Sequence, residues 1–405
     1  MSKVAPKYLI PQFTLAHFSF HVCVGVLIPL LPIMRESLSL NYFQSGVLVS
    51  CYSIAYGLGQ IPFAMIADRF SSRMIIIMGL FGMSLTGVGV SFTSAYWQMI
   101  PFFIVMGLLG ATYHAPATSY LSELFPSAKR GKALGFHNIG GGASFFLTPP
   151  MTLGVAYLFN TWRASFLILA IPAFLVGIML WATTREPAGD DKTPAEKGGD
   201  RAEQTTQSDP AGKDEKAKVG WVQVISALGI IAFLSITVRL FSAGVRSYLP
   251  LYMVDRHGIS PQLAGLVISL IAGSGIIGAP LGGALSDRYG RKRVILFSLS
   301  LSGPLLLAVA KLPYGIPLLI SMLLYGMTMS VRMPSMLSLI ADVVPAGRRT
   351  TVLGVYFLIG EEISGIATPV IGRLIDVYGI DPAFTGVAVG LCILSAFALI
   401  FRKHI

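Results

Sequence analysis

The stretch GGALSDRYGRKR, residues 282–293, lies between two long apolar runs and packs one acid and four bases into its last seven positions. An earlier segment, FAMIADRFSSRM at 63–74, is a looser copy of it. A charged turn repeated in so apolar a chain points to membrane topology. Of the 405 residues 54% are hydrophobic and only 12% charged, against roughly 25% charged in soluble domains. Such a chain cannot cover a water-facing surface, so its solvent is lipid. The formal charge of +11 does not indicate nucleic acid, because the bases recur in short loops between apolar runs instead of clustering on one polar domain. Cys23, Cys51 and Cys392 all lie inside apolar runs, with neither a disulfide framework nor metal spacing. The first apolar run lacks a cleavage pattern and reads as a retained span. No phosphate-cradling glycine loop followed by Lys and Ser/Thr occurs, so ATP is not the expected driving force. No enzyme signature and no cofactor site are found.

Apolar runs near the 20 or so residues needed to cross the hydrocarbon core fall at 13–34, 44–66, 74–93, 97–122, 133–158 and 164–183. A second set falls at 225–253, 262–285, 294–311, 314–341, 350–375 and 384–401. These are numbered spans 1 to 12. The expected fold is an all-α membrane protein of twelve transmembrane helices, with a bundle of six over 1–184, a charged flexible linker over 185–220 and a second bundle of six over 221–405. Residues 185–218 hold seven bases, nine acids and almost nothing apolar larger than Ala, the composition of a solvated tether. With both termini and the linker in the cytoplasm, 22 of the 30 Lys and Arg residues lie on that side. Only Arg35, Arg163, Arg256, Lys311 and Arg373 lie opposite. The positive-inside rule selects this orientation, in a cytoplasmic (inner) membrane crossed many times.

Asp68 and Asp287 differ by 219 positions, and so do Gly107 and Gly326, Arg130 and Arg349, Gly135 and Gly354, and Pro150 and Pro369. One spacing held across four spans makes the two halves a tandem repeat of equal orientation, a transporter design. Each half then repeats a cytoplasmic latch of Asp68, Arg69 and Arg130, or of Asp287, Arg288 and Arg349. The acid is expected to approach the N-terminus of span 11 or span 5, where unsatisfied N–H groups favour negative charge. The turn GALSDRYGRKR resembles the signature between spans 2 and 3 of the major facilitator superfamily, and NTWRASF (160–166) and GRLIDVYG (372–379) resemble two further turns of that family. In the first half, Ala64, Ser71 and Ser72 stand where the signature has Gly, Gly and a base. Residues 110–142 are similar to the fosmidomycin-resistance group of exporters. LTPP at 147–150 departs from the span-5 motif of drug/proton antiporters.

Ionisable residues inside hydrocarbon are costly and mark function. They are His17 and His21 in span 1, His114 in span 4, His137 in span 5, Arg239 and Arg246 in span 7, Arg332 in span 10, and Glu361 and Glu362 in span 11. Spans 3, 6, 9 and 12 carry none. The resemblance implies that spans 1, 4, 7 and 10 line a central cavity flanked by 2, 5, 8 and 11, so the charges fall where water would solvate them. Arginine stays protonated and grips carboxylate or phosphate with two parallel bonds. Arg239, Arg246 and Arg332 therefore favour an anionic substrate, the alternatives being ion pairs with Glu361 or Glu362 and, for Arg246, snorkelling to headgroups. The two glutamates, about 100° apart on their helix, are candidates for proton coupling or simple neutralisers of the arginines. His17 and His21 share a face; with His137 they suit a proton relay, and otherwise helix-packing hydrogen bonds. Their spacing also suits metal, but no carboxylate or thiol stands near in sequence, and no metal is expected. His21, His114, Tyr52, Tyr56 and Asn138 are candidate cavity lining beside Gln60. The glycines at 140–142 and Pro116, Pro149, Pro150, Pro334 and Pro369 are read as bending points for alternating access. The expected protein is a monomeric, proton-coupled secondary transporter of a small organic anion, with drug or amphiphile efflux as the alternative.

Overall fold

A computed structural model describes residues 6–185, 221–344 and 365–400. They form helices throughout, with no strand among the described residues. Span 1 consists of Pro6–Gly25 and Leu27–Leu38 in succession, span 2 is Tyr42–Arg69 and span 3 is Ser72–Ser91. Span 4 is built from Tyr96–Gly110 and His114–Leu124, span 5 is Ser127–Leu158 and span 6 is Trp162–Thr183. In the second half, spans 7 to 10 are Trp221–His257, Pro261–Tyr289, Arg291–Lys311 and Ile316–Val343. The described part of span 11 covers 365–378, and span 12 is Ile380–Ile400. Among the described residues, nine segments are long enough and contain a stretch apolar enough to cross a bilayer. Span 5, with its basic start and polar glycine-rich middle, is not among them, and it is one of the helices expected to flank a wet cavity.

The halves repeat their packing as well as their sequence. Span 2 packs on span 4, span 3 on span 6, and span 3 on span 4; the same neighbours recur as 8 on 10, 9 on 12, and 9 on 10. Helix ends are tied by arginine. Arg73 donates to the Trp181 carbonyl at the end of span 6 (2.6 Å). Arg163 donates twice to the Thr93 carbonyl beyond span 3 (3.1 and 2.8 Å), while its guanidinium stacks on Trp162. Cations at helix C-termini satisfy carbonyls that lack intrahelical partners.

Among the described residues two spans are interrupted shortly before a proline. Proline lacks an N–H and its ring crowds the carbonyl four positions earlier. Span 4 breaks over residues 111–113, around the Thr112 carbonyl that Pro116 leaves without a donor, and span 1 breaks at Val26, next to the Gly25 carbonyl that Pro29 leaves without one. The expected bending points at Pro149, Pro150 and Pro334 lie instead inside continuous helices. The glycines at 140–142 also sit in unbroken helix. Two of them are contact points: a Cβ on Gly140 would lie 2.0 Å from the Thr14 carbonyl oxygen, and one on Gly141 would lie 2.8 Å from the His17 ring. Their absent side chains let span 5 press against span 1.

Candidate functional site

The polar groups gather in three places, beginning with a histidine cluster in the first half. His17 Nδ1 donates to the His137 carbonyl (2.9 Å), and His137 Nδ1 donates to the Phe13 carbonyl (3.0 Å). These bonds place the ring protons on Nδ1 and leave each Nε2 with its lone pair. The His17 and His137 rings stack 4.2 Å apart. His21 Nε2 lies 3.1 Å from His17 Nε2, so His21 is the donor there. His114 begins the second piece of span 4, where the break delivers its ring 5.1 Å from both His17 and His21. Sequence spacing had paired only His17 with His21; the fold joins all four. Tyr52 and Tyr56 stack on one face of span 2. They lean on Gly107 and Gly110 of span 4, and Tyr56 meets the His114 ring edge-on. Gln60, one turn further along, is exposed. Asn138 is exposed and turned away from the buried ring of its neighbour His137.

A cationic face lies in the second half. Arg239, Ser242 and Arg246 are spaced i, i+3, i+7 on span 7 and share one side of the helix. That side looks at span 10, because Tyr325 donates to Ser242 Oγ (2.9 Å). Arg332 lies seven residues beyond Tyr325, on the same face of span 10, and is buried, with its Nη2 3.1 Å from Met329 Sδ. Tyr325 lies within electrostatic reach of both Arg246 and Arg332. Arg239 is half-buried and Arg246 exposed. The Ser242–Tyr325 bond places Arg246, one turn along from Ser242, on the side of span 7 facing span 10. Glu361, Glu362 and Arg349 lie outside the described residues.

The third group comprises the gates. At the outer end, Arg35 of span 1 pairs with Asp255 of span 7 (2.9 Å), which also accepts from Tyr42 Oη (2.5 Å). Asp376 of span 11 accepts from the backbone N–H groups of Tyr42 and Phe43 (2.9 Å each), capping span 2 from across the halves. Tyr248 of span 7 donates to the Tyr42 carbonyl (2.8 Å) and the Thr368 carbonyl (3.0 Å), and Ser50 donates to the Gly365 carbonyl. The helices there touch through glycine: a Cβ on Gly46 would lie 2.9 Å from Pro369, and one on Gly265 would lie 2.2 Å from Leu153. Towards the cytoplasm, Gly131, Gly135 and Gly283 meet no neighbouring atom within 4 Å among the described residues.

The described latch residues contact neighbours within their own half. Asp287 meets Arg291 of its own half (3.4 Å), and Arg291 also binds Asp342 at the end of span 10 (2.5 Å). The acid was expected at the N-terminus of span 5; the contact the structure gives it is with Arg291, one turn along. Arg288 stacks on Tyr289. Arg69 is exposed, Arg130 donates to the Ser122 carbonyl (3.0 Å), and the side chain of Asp68 lies outside the described residues. Asp342 was missed in the sequence although the signal was there: Glu123 precedes it by the same 219 positions.

Comparison with known proteins agrees with this architecture. The sequence model of the Major Facilitator Superfamily matches residues 13–361 and again 231–404. The chain is 25% identical over 397 residues to a glycerol-3-phosphate transporter of Bacillus subtilis (strain 168), covering 90% of this chain and 85% of the relative. A probable galactarate/D-glucarate transporter of the same organism is 26% identical over 63% of this chain and 58% of its own. The multidrug resistance protein 1 of that organism is 22% identical, over 94% and 92%. Among solved structures, a bacterial homolog of the human lysosomal transporter Spinster, inward-facing and occupied, superposes with a TM-score of 0.80 at 19% identity, over 99% of this chain and 98% of that one.

Proposed function

The chain belongs to the Major Facilitator Superfamily, a family of membrane transporters, and from that premise we propose that its cargo is a small organic anion of the carboxylate or phosphonate type. The observation that carries this reading is that Arg246 and Arg332 both lie within electrostatic reach of Tyr325, which bonds Ser242, with Arg239 on the same face of span 7. Their charge is independent of pH, and their forks match the paired oxygens of such anions. The similarity to carriers named for glycerol-3-phosphate and for galactarate and glucarate supports the same class. In this reading the two halves, 1–184 and 221–405, rock about a midplane site and open alternately to each side. The outer contacts of Arg35, Tyr42, Asp255 and Asp376 hold one state, and the cytoplasmic latch holds the other.

The reading couples transport to protons. Glu361 or Glu362 is the first candidate for the carrier, and the hydrogen-bonded His17 and His137 are the second. The other reading, proton-driven efflux of drugs or amphiphiles, is favoured by the similarity to a multidrug resistance protein along nearly the whole chain. Purified protein in proteoliposomes separates the two. A panel of carboxylates, phosphate esters and phosphonates, with a cationic drug set beside it, is offered under an imposed pH gradient. Uptake or exchange of anions that stops with Arg332→Ala supports the proposal; transport confined to the cationic set overturns it. Glu361→Gln and Glu362→Gln, made singly, distinguish the carrier: loss of gradient-driven accumulation with exchange preserved marks the coupling residue.

A further inference from the structure

We propose that His17, His21 and His114 form a binding site for a divalent d-block cation of the zinc class, held between spans 1 and 4. The ligating nitrogens of the three rings lie within 4.8 Å of one another. A tetrahedral zinc with Zn–N bonds of about 2.0–2.1 Å has ligand nitrogens about 3.3 Å apart. The His17 Nε2 to His21 Nε2 distance, 3.1 Å, is already close to that edge. His114 then has only to swing its ring inward by a little over an ångström, a side-chain movement at the free start of a helix piece.

The second shell has the form that metal-bound histidines use. His17 gives its other ring proton to the His137 carbonyl, which holds the ring in place and keeps Nε2 free to ligate. His137 is itself tied to the Phe13 carbonyl, so the supporting layer is anchored to the backbone of span 1. Gly141 leaves the space that the His17 ring occupies. Without a cation the cluster is imperfect. His21 must use its Nε2 proton on His17, which leaves His21 Nδ1 as a buried acceptor with no hydrogen-bond partner among the described residues. Moving that proton to Nδ1 frees Nε2 for the metal, and no net charge is lost from the three neutral rings. Three imidazoles and no thiolate suit zinc, nickel or copper rather than magnesium or calcium. They leave a fourth position for water or an anion, as in open zinc sites.

The site does not depend on the identity of the substrate; a metal on His17 would leave proton coupling to Glu361 or Glu362, so its test reads metal and not transport. Tag-free protein purified in detergent is stripped with chelator and titrated with Zn2+ by calorimetry, with thermal unfolding as a parallel readout. Saturable binding of one zinc per chain is expected. Single His17→Gln, His21→Gln and His114→Gln variants are each expected to weaken it more than about 10-fold, the loss that even an outer-shell change can cause. A control lacking the two histidines outside the cluster, His257→Gln with His404→Gln, is expected to bind as the parent does. If a cluster variant does not fold, X-ray absorption on the zinc-loaded parent decides: three imidazole nitrogens at about 2.0 Å support the site. An oxygen- or sulfur-dominated shell, no binding at millimolar Zn2+, or binding that survives all three substitutions overturns it.

Discussion

A guanidinium inside a bilayer-spanning bundle is tolerated where protein or water solvates it, and Arg332 meets that condition at the centre of span 10. Because the fork and not just the charge is used in gripping an oxyanion, Arg332→Lys is expected to weaken anion binding about 10-fold and Arg332→Ala about 100-fold. These correspond to about 1.5–3 kcal/mol for hydrogen bonds to charged groups. Ligand-induced thermal shift or calorimetry on the purified variants measures it, and equal affinity in Arg332→Ala removes the residue from the site. The i, i+7 relation of Arg239 and Arg246 is visible in the sequence. That their face of span 7 meets span 10 is not, because it depends on the contact between Ser242 and Tyr325, 83 positions apart. A second prediction concerns Gly141. A methyl there would stand 2.8 Å from the His17 imidazole, closer than packed atoms approach. Gly141→Ala is therefore expected to push the ring out of its bond to the His137 carbonyl and to lower stability by about 1–3 kcal/mol, the range for overpacking. Thermal unfolding reads the loss, and a further Gly141→Ala/His17→Ala substitution should recover part of it.

At the scale of elements, the spans could be read from hydropathy because lipid forces each crossing segment to satisfy its own backbone. Their internal breaks could not be read as directly. Prolines occur in most spans, and only those at 29 and 116 coincide with an interruption; those at 149, 150 and 334 are absorbed within continuous helices. The run of three glycines looks like a hinge in one dimension and is a packing notch in three. The span 4 break has a consequence for chemistry, since it starts a new helix piece at His114 and turns that ring toward span 1. Pro116→Ala restores an N–H for the Thr112 carbonyl and relieves the ring clash, so span 4 is expected to straighten. The protein should fold with an equal or higher melting temperature but bind Zn2+ more weakly, because His114 is carried away from His17 and His21. Unchanged Zn2+ affinity with a demonstrably straightened helix would show that the break is not needed to assemble the cluster.

For the whole molecule, the repeat of 219 positions foretells two like halves, and their packing neighbours duly recur. What a repeat cannot foretell is which end is shut, because both conformations are compatible with one sequence and differ by only a few kcal/mol. The outer gate is only partly repeated: Asp255 has an acid, Glu36, at the repeat spacing, whereas Arg35 and Asp376 have no charged counterparts there. Their contacts exist between the halves and are lost if the outer side opens. Removing them should therefore act on the equilibrium between states and leave each half folded. Asp376 receives two N–H groups from the start of span 2, and Asp255 receives Arg35 and Tyr42. These groups are partly exposed, which favours the low end of the range for charged hydrogen bonds, about 1.5 kcal/mol for each acid. At about 1.4 kcal/mol per factor of ten, Asp255→Ala with Asp376→Ala is expected to raise the outward-open fraction by about 100-fold, and either alone by about 10-fold. Leu40, buried beside this gate, supplies the reporter. In a background with Cys23, Cys51 and Cys392 replaced by Ser, Leu40→Cys should react slowly with a membrane-impermeant maleimide added outside. The reaction should speed up in proportion as each acid is removed. A rate indifferent to both acids would mean that apolar packing between spans 2 and 11 and between spans 5 and 8, not the ionic contacts, keeps the outer side shut.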